Sequence, residues 1–94
     1  MRAFLVFVLV AVPSVAAAKP QLKCEFEGNK GVVTIVNPDA KRQHCSYACH
    51  FTLENGAGSA VGSIGVAAGE TKKVSERTYT SKVSRVRDSS LECE

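Results

Sequence analysis

The sequence predicts an all-β protein: a small antiparallel β-sandwich of about six strands, stapled by disulfides, behind an N-terminal leader. Three observations predict it. Apolar and polar residues alternate at period two through much of the chain after residue 18. Glycine, asparagine and proline interrupt these runs at short intervals. No stretch after residue 18 repeats its apolar residues at helical spacing.

Met1 to Ala18 has the three parts of a secretory signal. Arg2 gives a basic start, Phe4 to Val12 an unbroken apolar run, and Ala16-Ala17-Ala18 the small residues a signal peptidase needs. Cleavage is expected after Ala18. The run is shorter than the about 20 residues of a membrane span, so no span is expected in the mature form. The expected location is secreted or periplasmic.

The elements follow in order. In Leu22-Lys23-Cys24-Glu25-Phe26-Glu27, Leu22, Cys24 and Phe26 share one face, which describes a half-buried strand. Gly28 to Gly31 is a turn. Val32-Val33-Thr34-Ile35-Val36 is β-branched throughout and reads as a central strand. Asn37-Pro38-Asp39 ends it. From 45 to 53, Cys45, Tyr47, Cys49, Phe51 and Leu53 alternate with Ser46, Ala48, His50 and Thr52. Asn55-Gly56 signals a hairpin. The glycine- and serine-rich stretch that follows reads as a flexible tip, with a strand from about Ala60 to Val66. Ala68-Gly69-Glu70 is a turn. Thr71 to Thr80 and Lys82 to Cys93 read as two last strands. Val83 and Val86 fall on opposite faces of a regular strand, so a bulge is expected between them. No repeat and no linker is visible.

Residues 19–94 would form one domain, and a core of that size supplies no more than about 3–5 kcal/mol unaided. Cys24, Cys45, Cys49 and Cys93 offer the remedy, since four cysteines in a short exported chain argue for disulfides. Cys45 and Cys49 would stand about 13 Å apart on one extended strand, beyond the roughly 7 Å a bridge tolerates. Each must reach Cys24 or Cys93. An up-and-down strand order would bring all four to one end of the domain. Two connectivities remain open: 24–45 with 49–93, or 24–49 with 45–93.

Val66-Ala67-Ala68-Gly69-Glu70-Thr71, followed by Lys72-Lys73-Val74, resembles a turn common in small bacterial immunoglobulin-like domains. The resemblance covers under a tenth of the chain. It implies an architecture and a role in binding or spacing other proteins, with no functional residues carried over. The chain has no Trp, where a true immunoglobulin domain has one between its cysteines.

Several chemistries can be weighed. Cys45-Ser46-Tyr47-Ala48-Cys49-His50 is one residue longer than a haem-attachment motif. A metal- or haem-binding reading would use Cys45, Cys49 and His50, yet on a strand the histidine faces away from the cysteines. An even cysteine count leaves no free thiol for nucleophilic catalysis. No serine carries a nucleophile motif, and the acids show no pairing for acid–base work. No enzyme and no cofactor are expected.

The formal net charge of +3, or +2 once Arg2 leaves with the signal, defines no partner. Lys72, Lys73, Arg77, Arg85 and Arg87 crowd the C-terminal third and would form a polyanion-contacting face if their strands were neighbours. Few aromatics accompany them, so nucleic acid is not expected as a partner. The reading that follows is a non-catalytic binding or accessory module for a protein or envelope component. A secreted inhibitor or effector contacting its target through loop 54–65 is the other use of such a scaffold.

Overall fold

Six strands form in the computed structural model, which describes residues 19–94; the predicted signal, residues 1–18, lies outside the described residues. They are β1 (Gln21–Glu27), β2 (Lys30–Val36), β3 (Gln43–Leu53), β4 (Gly56–Val66), β5 (Thr71–Thr78) and β6 (Val83–Cys93). β1–β2–β5 make one antiparallel sheet and β4–β3–β6 the other. The up-and-down order expected above is not the one formed. Three connections cross between the sheets, after β2, β4 and β5. β1 lies against β6, and β5 against β4, along the two long sides. Among the described residues no helix is long and apolar enough to cross a membrane.

Alternation decides the core. β2 turns Val33 and Ile35 inward, and β3 turns Cys45, Cys49, Phe51 and Leu53 inward, all buried. Ala60, Val66 and Val83 complete the buried set. Leu22, Tyr47 and Val74 touch both halves of this core. Each large side chain so buried is worth about 1.5–3 kcal/mol, and they are few.

The expected bulge falls between Val83 and Arg85. Leu53 pairs with Val83 and Thr52 with Arg85, which leaves Ser84 unpaired. A second bulge leaves Arg87 unpaired between Val86 and Asp88. Together they turn both Val83 and Val86 toward the core.

β4 corrects the sequence reading. The stretch from 54 to 65 is not a flexible loop: the turn is only Glu54-Asn55, and strand begins at Gly56. Two of its glycines, Gly58 and Gly62, answer aromatic rings rather than a need for flexibility. A Cβ at Gly58 would lie 2.5 Å from Tyr79 Cε1, and one at Gly62 would lie 2.8 Å from the Tyr47 hydroxyl. The Tyr79 ring also packs against Phe51, with centroids 5.8 Å apart, and closes that end of the sandwich.

Asn37 was read only as the end of a strand, yet it is fully buried. Its Nδ2 donates to the carbonyls of Lys41, Val66 and Ala67, each at 3.1 Å. Its Oδ1 accepts from the Asp39 N–H at 3.1 Å, and its own N–H donates to Glu70 O at 2.8 Å. One side chain thereby joins the β2–β3 crossover to the β4–β5 turn.

Candidate binding surface

Both disulfides are rooted in β3. Cys24 is paired with Cys49, with a Cα separation of 5.9 Å, and Cys45 with Cys93, at 4.0 Å. The second of the two open connectivities is the one formed. Cys24–Cys49 joins the two sheets through the core. Cys45–Cys93 lies within one sheet, between directly opposed residues of β3 and β6. Its neighbours His44 and Glu94 exchange both backbone hydrogen bonds, so the cysteines occupy the close, non-hydrogen-bonded position next to them. The four cysteines therefore do not gather at one end. Two bridges with no free thiol point to an oxidising compartment.

The sulfurs of Cys45 and Cys49 are both taken up in these bridges, and His50 sits on the opposite face of β3. The three residues of the metal or haem reading are thus not brought together as ligands. Among the described residues, no group of three or more His, Cys, Asp or Glu gathers for a metal ion.

The basic residues are divided. Lys72, Lys73 and Arg77 stand on β5 and Arg85 and Arg87 on β6, which belong to different sheets and lie on opposite sides of the sandwich. They do not form one face. Lys72 Nζ donates to Gly65 O at 3.3 Å and Arg77 Nη1 to Ser59 O at 3.0 Å, both on β4. Arg87 pairs with Asp88 at 3.6 Å.

Lys73 and Lys30 belong to the outer face of β1–β2–β5, where both meet Glu76, at 2.6 Å and 3.0 Å. The hydrogen bond from Lys73, then that from Lys30, hold the Glu76 carboxyl at about 2, below its ordinary 4.5. A depressed carboxylate stabilises the fold above its unfolded pKa and loses that contribution as pH falls from about 4.5 toward 2. The residue is exposed, so the effect is modest. Glu76→Gln should shrink the drop in urea midpoint between about pH 6 and pH 3; an unchanged drop would show the trio to be uncoupled from folding. Beside it lies an open depression of about 480 Å³ bordered by Glu25, Phe26 and Glu27.

The outer face of β4–β3–β6 has a different character. The register sets side chains in rows across the strands: Ser63–Ser46–Glu92, Val61–Ala48–Ser90 and Ser59–His50–Asp88. Most are small, so the face is shallow, with an open depression of about 420 Å³ over Ala48, Val61 and Ser90. Val61 is 67% exposed on it. The Ser46 and Ser63 hydroxyls meet at 3.1 Å. His50 Nδ1 is 2.8 Å from Ser59 Oγ, while Asp88 Oδ1 stands 3.9 Å from Nε2, beyond hydrogen-bond length. This Ser–His–Asp row has the composition of a catalytic triad, but its third contact is open. It reads as a cross-strand polar row. Sequence reasoning missed it because the row depends on the strand register, and its third member, Asp88, comes from the distant strand β6.

Comparison with known proteins returns no matching family model, no matching curated protein and no matching solved structure.

Proposed function

We propose that the protein is an exported, non-catalytic binding module that engages a protein or envelope component with its β4–β3–β6 sheet. The observation that carries this reading is the contrast on β3. Its inner face is anchored by two disulfides, while its outer face offers a shallow floor of small side chains with Val61 exposed. A preorganised flat surface spends little conformational entropy on association. The N-terminal signal and the paired cysteines support export to the periplasm or beyond.

We read the sandwich as immunoglobulin-like. Taken in chain order as strands A, B, C, C′, E and F, the sheets become A–B–E and C′–C–F, which is the immunoglobulin partition. The bridges depart from that pattern, joining A to C and C to F rather than B to F.

The test is an arginine in the floor. Immobilised oxidised protein should retain envelope components, and Ala48→Arg should weaken that retention by about tenfold while leaving the amide spectrum dispersed. Equal retention by the folded variant would remove this face as the contact. Whether the partner is one the protein assists or one it inhibits separates an accessory module from a secreted effector.

A further inference from the structure

The four edge strands of the sandwich are not alike. β6 has two bulges and carries Arg85, Arg87, Asp88 and Glu92. β5 has one bulge and carries Lys72, Lys73, Glu76 and Arg77. β1 is short and carries Lys23, Glu25 and Glu27. Charges, bulges and short length are the devices that keep an edge from pairing with another chain. β4 has none of them: its 11 residues pair with β3 in unbroken register and include no charged residue and no proline.

The backbone groups that face outward can be identified. His44 and Glu94 exchange their hydrogen bonds, so even-numbered residues at the start of β3 bond to β6 and odd-numbered ones bond to β4. Those odd residues pair with even ones on β4. The N–H and C=O groups of Ala57, Ser59, Val61, Ser63 and Gly65 therefore point away from the sheet. Arg77 occupies the Ser59 carbonyl and Lys72 the Gly65 carbonyl. Among the described residues, no side chain reaches the backbone of Val61 or Ser63 between them.

We propose that the β4 edge accepts an extended strand from a partner protein, centred on Val61 and Ser63 and carrying a carboxylate toward each end. This rests on the binding-module reading and names the partner's form. Main-chain pairing supplies the affinity in such strand addition. The two cations select the flanks: a guest amide replaces Arg77 or Lys72 at its carbonyl, and the released cation meets a carboxylate. Ser59 and Gly65 are six steps apart along β4, about 20 Å, which sets the spacing of the two carboxylates. A second copy of β4 fits less well, because it would bring its own Lys72 and Arg77 to the same seam.

The probe is a capped peptide of about seven residues with an uncharged Thr/Val centre and an aspartate at each end, compared with one ending in lysines. With the aspartate peptide, amide hydrogen exchange at Val61 and Ser63 should slow by about tenfold or more. The lysine peptide should bind about fivefold more weakly, two exposed charge pairs being at stake. Lys72→Glu with Arg77→Glu should invert the preference, and should that protein fail to fold, Lys72→Gln with Arg77→Gln should abolish it. Unchanged exchange on β4, or equal affinity for both peptides, overturns the proposal. So does protection that rises with protein concentration without peptide, which would mark self-pairing. Protection by the peptide in an Ala48→Arg protein upholds the edge even if the outer-face reading fails.

Discussion

Asn37→Ala is expected to lower the unfolding free energy by about 3 kcal/mol, a large fraction of the stability of so small a domain. The substitution takes the fully buried Asn37 donor from the carbonyls of Lys41, Val66 and Ala67, of which the Val66 contact is buried and the other two are partly buried. Each buried group left short of a partner costs about 1–3 kcal/mol. Asn37→Asp should be no milder: it keeps the acceptor for the Asp39 N–H but cannot donate, and it buries a charge. Urea unfolding of the three proteins checks this. A loss under about 1 kcal/mol in both variants would mean that the crossover and the β4–β5 turn hold together without this side chain.

Removing one bridge as a pair, Cys24→Ala with Cys49→Ala, is expected to cost about 3–4 kcal/mol in the chain-entropy account. The bridge spans a sequence separation of 25 and is the covalent link between the two sheets. Cys45→Ala with Cys93→Ala opens a longer loop, with a separation of 48, and should cost about 4 kcal/mol by the same account. That bridge, however, ties strands already paired by the β3–β6 ladder. Cys45 and Cys49 are both fully buried, so either double variant leaves a void; the inter-sheet pair is the more damaging because no hydrogen-bonded ladder holds Cys24 against Cys49 once the bridge is gone. Thermal unfolding of both double variants compares them; a variant lacking Cys24 and Cys49 that melts with the parent would refute the inter-sheet role.

The strands were legible where alternation or β-branching was strong. β2 and β3 announced their inward faces residue by residue, and the odd spacing of Val83 and Val86, which puts them on opposite faces of a regular strand, announced the bulge. The sequence narrowed the cysteine pairing to two possibilities, and the choice between them was not legible, because it depends on which strands are neighbours, and neighbours here are set by three inter-sheet crossings. The same non-local fact separated the basic residues of β5 from those of β6. β4 was misread for a different reason. Glycine in isolation signals a turn, and only the opposed Tyr47 and Tyr79 rings explain why a strand needs Gly62 and Gly58. The outer face and its polar row became visible only once the register was known.

All of this depends on oxidised sulfur holding a sheet with a thin core. The most direct measurement frees all four thiols at neutral pH, without substitution, and follows near-ultraviolet circular dichroism and amide exchange. The expected result is loss of the tyrosine and disulfide signals together with collapse of amide protection across β3. Protection of β3 that survives complete reduction would contradict it.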